Sequence, residues 1–173
     1  MAGSGVAHLR TDDDVVLSIR NLTVEYAGRG SERVFAVSDV SLDARRGETI
    51  GLVGESGCGK SVTAKSILRL LPRPQARIPS GEIIFNGENI LKYGEKRMQK
   101  LRGNDISMIF QDPMTSLNPT MTIGRQISEV LIKHQHVSRA EAREKTIEYL
   151  SLVGIANPEK RYKEYPDSLS GGM

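Results

Sequence analysis

The chain has 173 residues, 38% of them hydrophobic and 26% charged, which is the composition of a globular protein with a buried core rather than of a disordered chain. Its 24 lysine and arginine residues stand against 21 aspartate and glutamate residues, and a net charge of +3 is too small to indicate a nucleic-acid-binding protein. Cys58 is the single cysteine, so the sequence excludes an internal disulfide bond and a thiolate metal cluster.

The same composition indicates a compartment. A lone cysteine is typical of reducing conditions, and His8, His134 and His136 lack the spacing of metal ligands. The opening "MAGSGVAHLRTDDD" contains no apolar core of a signal peptide, and no run approaches the ~18 apolar residues of a membrane span. We therefore expect a cytosolic protein, which can still dock on a membrane partner.

The first elements in chain order are strands. Residues 1–14 are expected to form a disordered, acidic-ended leader. From Val15 the apolar residues alternate through Leu17 and Ile19, and the pattern continues through "LTVEY", which predicts a strand. After the turn-forming segment "AGRGSER", the segment "VFAVSDVSL" alternates again. The sequence therefore predicts an N-terminal antiparallel sheet.

The segment "TIGLVG", residues 49–54, is continuously apolar and predicts a strand buried on both faces of a parallel sheet. A helix is predicted directly after it, and Pro72 is expected to stop that helix. Its apolar residues recur at helical spacing: Ala64, Ile67, Leu68 and Leu71.

Further along, Asn86-Gly87 stands between two strand-like segments and predicts a two-residue hairpin. A charged helix is predicted around Glu95–Leu101, followed by a strand at "DISMIFQ", residues 105–111, and a loop at "DPMTSLNPT". From about Thr122 the chain is expected to be mostly helical. The first of these helices carries an apolar stripe of Ile123, Ile127, Val130 and Leu131, and the next is bounded by a capping box at Ser138 and Glu141 and by Gly154.

The segment "GESGCGKS" fits the phosphate-binding pattern G-x-x-x-x-G-K-[ST] without a mismatch, and it stands between a predicted strand and a predicted helix. Glycines let the loop turn its N–H groups toward phosphates, the lysine supplies a positive charge to the β- and γ-phosphates, and the serine offers a hydroxyl ligand to Mg²⁺. The sequence therefore predicts a nucleotide site. Its residues are Gly54, Glu55, Ser56, Gly57, Cys58, Gly59, Lys60 and Ser61.

Two further motifs follow the loop: Gln111 at the end of the strand "MIFQ", and "LSGG" at residues 169–172. From about Val15 onward the chain resembles the ATPase subunit of ABC transporters. The resemblance rests on the order of its features: a phosphate-binding loop, a strand-end glutamine, a helical region and LSGG. The resemblance implies an α/β fold, namely a RecA-like P-loop NTPase core with an N-terminal antiparallel β subdomain and an α-helical subdomain. On this basis residues 15–111 hold the β subdomain and core, and 112–173 hold the segment after Gln111, the helical subdomain and the signature motif.

The resemblance also implies roles for these residues. Gln111 is the glutamine that joins the nucleotide site to the helical subdomain and reaches the metal or the attacking water, so Lys60 and Gln111 are the candidate catalytic residues, and Ser61 and Gln111 the candidate Mg²⁺ ligands. The signature residues Ser170, Gly171 and Gly172 bind the γ-phosphate of the ATP held by a second subunit. Tyr26, in "VEY", is the aromatic residue expected to stack on adenine, with Phe35 as the alternative.

Finer detail points to a subgroup. Together "VGESGCGKS", "FQDPMTSLNP" and "LSGGM" resemble the ATPases of oligopeptide, dipeptide, nickel and glutathione importers. This resemblance implies ATP and Mg²⁺ as cofactors, a second ATPase subunit that is identical or related, transmembrane permease subunits, and an indirect link to a substrate-binding protein. It implies no nucleic acid, and it places the protein at the cytoplasmic face of the inner membrane as a peripheral subunit.

In this family the Walker B strand, which carries the catalytic glutamate, and the switch histidine follow the signature motif. We therefore expect the 173 residues to be about the first half of an ATPase, inactive in hydrolysis when alone, with an unpaired edge beside "TIGLVG" that favours aggregation.

Three alternatives remain. A DNA-repair or chromosome-structure ATPase also combines the loop and the signature, but it usually has a long coiled coil or a zinc-bearing insertion between them, where this chain has two short predicted helices and no cysteine. A small GTPase or kinase is disfavoured because no base-reading NKxD segment is present. The third is a non-catalytic nucleotide-binding remnant of an importer gene.

Overall fold

The computed structural model describes residues 14–28, 30, 32–111 and 116–170, so the predicted leader lies almost wholly outside the described residues. The chain divides into two compact units, residues 1–99 and 100–173, and each is described by itself. Among the described helices the longest has 14 residues, and none is long and apolar enough to cross a bilayer.

The first unit is built on one four-stranded antiparallel sheet in the order β2-β1-β3-β4. Its strands are β1 (Val15–Ala27), β2 (Arg33–Arg45), β3 (Ala76–Phe85) and β4 (Glu88–Asn89). The predicted N-terminal antiparallel sheet is thus confirmed. Its buried side chains come from β1 and β3 above all, where Ile19, Leu22, Val24 and Ile83 are 0% exposed.

A bulge in β1 shifts the alternation of buried and exposed side chains along the strand. The pairing of β1 with β2 shifts register between Ile19 and Leu22, and Asn21 between them has φ 48°. Gly81 of β3 lies opposite with φ 106°, and a Cβ atom there would lie 2.6 Å from Cα of Leu22. Only glycine tolerates both this backbone conformation and this approach. The bulge brings Leu22 and Val24 into the core three and five residues after Ile19.

The hairpin predicted at Asn86-Gly87 is confirmed. Phe85 of β3 pairs with Glu88 of β4, so two residues form the turn. Both have positive φ, 47° at Asn86 and 82° at Gly87, as the favoured two-residue turn requires.

Helix α1 (Lys60–Ile67) begins directly after the glycine loop, as predicted, and ends five residues before Pro72. Its predicted apolar stripe is only partly buried: Leu68, just beyond the helix, is 5% exposed, whereas Ala64, Ile67 and Leu71 are half-buried. Thr63 and Ser66 are buried instead, because each hydroxyl donates to the carbonyl oxygen four residues earlier, at 3.0 and 2.7 Å.

The strands predicted at residues 49–54 and 105–111 are wrong for this structure. Neither segment is a strand; Ile106 makes only an isolated bridge to Arg102, and Val53 and Ile109 are each 94% exposed. A strand exists only when a neighbour accepts and donates its backbone hydrogen bonds, and no described strand pairs with either segment. The described residues therefore form the antiparallel part of the predicted α/β architecture and not its parallel part.

The second unit is helical, as predicted. Helix α2 (Glu95–Leu101) begins in the first unit and ends in the second. The further helices of the second unit are α3 (Ile123–Gln135), α4 (Arg139–Leu152) and α5 (Pro158–Lys163). The predicted cap of α4 is confirmed, since the N–H of Glu141 donates to Oγ of Ser138 at 3.2 Å and Gly154 follows the helix with φ 78°.

The predicted stripe of α3 is correct at Ile123 and Leu131, which are 4% and 5% exposed, and wrong at Val130, which is 48% exposed. Small residues take the place of larger apolar ones on the buried face. Gly124 is one of them: a Cβ atom at this position would lie 2.3–2.5 Å from atoms of the Tyr162 ring. The ring of α5 therefore packs directly against the backbone of α3.

Three hydroxyl groups join α3, α4 and α5 in a directed chain. Thr146, which is 0% exposed, donates to the carbonyl oxygen of Ala142 at 2.6 Å. Its oxygen lies 3.0 Å from Oγ of Ser128, which lies 3.2 Å from the hydroxyl of Tyr162. A hydroxyl has one proton, so Ser128 donates to Thr146 and Tyr162 donates to Ser128. Every buried hydroxyl of this core is thereby satisfied.

Candidate functional site

The glycine loop, residues 54–59, follows the exposed segment 49–53 and packs against β2. Gly57 and Gly59 have φ 83° and 97°, conformations that side chains with a Cβ atom rarely adopt. A Cβ atom on Gly59 would also lie 2.5 Å from the carbonyl oxygen of Ala36 and 3.2 Å from Val37. The motif therefore needs glycine at position 59 for two reasons, the backbone conformation and the contact with β2.

Lys60 lies at the first position of α1, and its side chain turns back into the loop. The ammonium donates to the carbonyl oxygens of Gly54 and Glu55, each at 2.7 Å, and lies 3.5 Å from Sγ of Cys58. Lys60 forms no ion pair with a carboxylate among the described residues, so its charge is not neutralised within this unit. The loop thus presents a fixed positive charge at its centre.

The start of α1 adds uncapped donors to this charge. Within α1, Thr63 is the first residue whose N–H bonds to the loop, at 2.8 Å from the oxygen of Gly59, so the N–H groups of Lys60, Ser61 and Val62 have no helical acceptor. Gly59 supplies no side-chain cap. Free N–H groups at the positive end of a helix favour an anion, and phosphate is the ligand that such loops hold.

Ser61 is exposed in the first turn of α1, where its hydroxyl is accessible as a ligand. No group of three histidine, cysteine, aspartate or glutamate residues in the described part of the chain is arranged to hold a metal ion. A single hydroxyl together with phosphate oxygens and water suits Mg²⁺, which retains several waters and binds few protein groups. The residues present therefore fit a nucleotide-bound magnesium ion rather than a protein-held one.

The two aromatic residues predicted as alternatives for stacking on adenine, Tyr26 and Phe35, lie on the neighbouring strands β1 and β2, and the stacking role stays a prediction. Tyr26 of β1 pairs with Val34 and Ala76 and is half-buried. Phe35 of β2 is 59% exposed and directly precedes Ala36, whose carbonyl oxygen meets Gly59.

Gln111 is exposed and lies in the second unit, whereas the loop lies in the first. Its proposed reach to the metal or the attacking water stays a prediction. In the signature motif, Ser170 is exposed, and Gly171 and Gly172 lie outside the described residues.

An ion-pair cluster that was not predicted from the sequence stabilises the segment before the signature motif. Arg161 of α5 lies 2.6 Å from Oε2 of Glu164, and Oγ of Ser168 donates to the same oxygen at 3.1 Å. Arg161 also donates to the carbonyl oxygen of Ser168 at 3.3 Å. The hydrogen bond from Arg161 lowers the pKa of Glu164 below its ordinary value. Burial opposes this effect in part, and the hydrogen bond from Ser168 lowers the pKa by a smaller amount. The only sequence signal was the i, i+3 spacing of Arg161 and Glu164.

Comparison with known proteins gives matches over most of the chain. The family model described as "ABC transporter" matches residues 37–173. The chain is 50% identical over 158 residues to the dipeptide transport ATP-binding protein DppD of Bacillus subtilis, covering 91% of this chain and 47% of that protein. It is 55% identical over 163 residues to the peptidoglycan transport ATP-binding protein YejF of Agrobacterium fabrum, covering 94% of this chain and 30% of that protein.

A solved structure shares the fold. A dimeric ATP-binding cassette in a post-hydrolysis state, bound to ADP and Pi, superposes with a TM-score of 0.76 at 25% identity, over 90% of this chain and 64% of that chain. The chain thus spans less than half the length of these two curated relatives and about two thirds of the solved cassette.

Proposed function

Because the chain belongs to the ABC transporter family, we propose that it is part of the ATP-binding, energy-coupling subunit of an importer. The observation that carries this proposal is the glycine loop together with the first turn of α1, where Lys60 is held by two loop carbonyl oxygens and the start of α1 is uncapped. This arrangement suits the β- and γ-phosphates of a nucleoside triphosphate.

Each residue of the site has a separate proposed role. Lys60 and the free N–H groups bind and orient the phosphates, and Ser61 supplies a hydroxyl to the accompanying Mg²⁺. MgATP, when bound, supplies the phosphoanhydride bond whose hydrolysis drives transport. Tyr26, or Phe35, stacks on the base, and Gln111 joins the nucleotide site to the helical unit and positions the metal or the water. Ser170, Gly171 and Gly172 bind the nucleotide held by a second ATPase subunit.

The proposed transported substrate is a short peptide. Relatives at about 50% identity carry the names of dipeptide and oligopeptide transport ATP-binding proteins, which favours oligopeptides or dipeptides over nickel or glutathione. The proposed partners are a second ATPase subunit, permease subunits and, through them, a substrate-binding protein. These partners would hold the protein at the cytoplasmic face of the inner membrane.

The deciding experiment compares Lys60→Ala with Lys65→Ala, a lysine on the same helix five residues away. We expect Lys60→Ala to weaken binding of a fluorescent ATP analogue at least about tenfold, which corresponds to about 1.4 kcal/mol, because water cannot replace a fixed cation beside the phosphates. Lys65→Ala should bind like the unchanged protein. Equal affinities of the two variants would contradict the assignment of the loop.

Transport is tested separately, in cells that lack the gene and receive it back unchanged or as Lys60→Ala. We expect uptake of labelled dipeptides or oligopeptides only with the unchanged gene. Nucleotide binding without any restored uptake would favour the alternative of a non-catalytic remnant.

A further inference from the structure

The first unit contains a cavity of about 460 Å³ at which no residue of the glycine loop is found. It lies between the segment that follows α1, the beginning of β3 and the 3-10 turn Ile90–Lys92. Its apolar walls are formed mainly by Leu71, Ala76, Ile78 and Leu91. A concave, mostly apolar cavity of this size with a few polar groups is typical of small-molecule sites.

Three arginines converge on this cavity: Arg69, Arg73 and Arg77, at intervals of four residues in "RLLPRPQAR". None of the described residues that line it is acidic. Glu25 is 7% exposed and pairs with Arg77 at 2.8 Å, so one of the three positive charges is neutralised. The cavity keeps an excess of positive charge, which favours an anionic ligand.

Two of the guanidinium groups are held in place by bonds that leave other donors free. Arg77 uses its Nε atom toward Glu25, which leaves both terminal nitrogens for another acceptor. Arg69 donates from one terminal nitrogen to the carbonyl oxygen of Tyr93. Arg73 is exposed and has no hydrogen bond or ion pair with any described residue. Two guanidinium groups with a protein partner and one without a described partner suit a carboxylate, which guanidinium groups bind through paired hydrogen bonds.

We propose that this cavity binds a small carboxylic acid with an apolar body. The carboxylate is bound by the arginines, and the alkyl or aromatic portion packs on Leu71, Ile78 and Leu91. The site does not share a residue with the loop at 54–61, so it stands or falls independently of the proposed function.

The test is calorimetric titration of the intact protein with octanoate, with acetate as the charge-only probe and octanol as the apolar-only probe. We expect octanoate to bind at one site, with acetate and octanol at least about tenfold weaker. Arg73→Gln should weaken octanoate at least about tenfold, because this arginine has no structural partner to lose. Arg46→Gln, an exposed arginine outside the cavity, is the matched control and should leave binding unchanged.

Three results would overturn the proposal. The first is that octanoate does not bind. The second is that octanol or acetate binds as tightly as octanoate does. The third is that Arg73→Gln and Arg46→Gln bind octanoate with equal affinity. A titration with ATP analogue in Arg73→Gln should match that of the unchanged protein, which separates the two sites.

Discussion

Cys58 gives the glycine loop a unique chemical handle. Its thiol is exposed and lies 3.5 Å from the ammonium of Lys60. We expect a maleimide on Cys58 to block ATP binding, because the adduct fills the space that the phosphates need, and bound MgATP to slow the labelling. The measurement is the labelling rate with and without saturating MgATP. The variant Cys58→Ser, which should bind ATP and resist maleimide, is the control, and equal labelling rates would count against the prediction.

The conformation of the glycine loop was predictable because the motif is encoded in local spacing, whereas the roles of its residues in binding nucleotide stay a prediction. Gly59 and Lys60 occupy the positions that the motif assigns to them, and the helix starts at the lysine of the motif. Two features could not be predicted from the motif. One is the close approach of Gly59 to the carbonyl oxygen of Ala36. The other is the convergence of three arginines on one cavity, namely Arg69, Arg73 and Arg77. Both depend on contacts between segments distant in the chain, which no local pattern records.

At the scale of elements, the hydroxyl chain of the helical unit predicts a specific loss. Thr146→Val keeps the volume of the side chain but removes the oxygen to which Ser128 donates and the bond to Ala142. We expect the free energy of unfolding to fall by about 1–3 kcal/mol, the usual effect of leaving a buried polar group unsatisfied. Urea denaturation measures it. Ser151→Ala, an exposed hydroxyl on the same helix, should change stability little, and equal losses in both variants would contradict the role of the chain.

The cluster at the end of α5 predicts a dependence on pH. The pKa of Glu164 is lowered in the folded protein, chiefly by its hydrogen bond from Arg161, so the folded state favours the ionised carboxylate. The stabilisation is therefore complete above the ordinary pKa of 4.5 and is lost as the pH falls through the lower folded value. We expect Glu164→Gln to destabilise the protein near neutral pH and to flatten the fall of melting temperature below about pH 4.5. Parallel pH profiles in the two proteins would contradict this.

Whether an element was predictable depended on where its partners lie. The strands β1 and β2 and the hairpin of β3 and β4 carry alternation and turn residues, and their partners are close in sequence. The apolar runs at 49–54 and 105–111 carry an equally strong strand pattern, yet neither pairs with a described strand. An apolar sequence shows that a segment can be buried, whereas a strand also needs a neighbouring strand that pairs with its backbone. The helices α1 to α4 were predictable because their hydrogen bonds are internal, whereas the short helix α5 was not predicted.

At the scale of the whole molecule, the exposed apolar segments predict self-association of the 173-residue chain. Ile50, Leu52 and Val53 are 43%, 47% and 94% exposed, and Ile109 is 94% exposed. Their unpaired backbone and apolar side chains should pair with other copies. We expect sedimentation to show concentration-dependent association, which Val53→Lys with Ile109→Lys reduces. Leu152→Lys, which removes an apolar residue that is 80% exposed on α4, is the control. A monomer at all concentrations would contradict the prediction.

The packing of the Tyr162 ring on Gly124 limits which mutations the gene can accept at codon 124. All glycine codons share their first two bases, so every missense change of a single base at codon 124 introduces a residue with at least a Cβ atom. The ring is tethered through its hydroxyl to Ser128 and so has little freedom to retreat. Codon 124 therefore offers no neutral amino-acid change one mutation away, whereas the codon of Val130, whose side chain is half exposed on the same helix, can change its amino acid. Populations carrying this gene should show silent variation at codon 124 and amino-acid variation at codon 130.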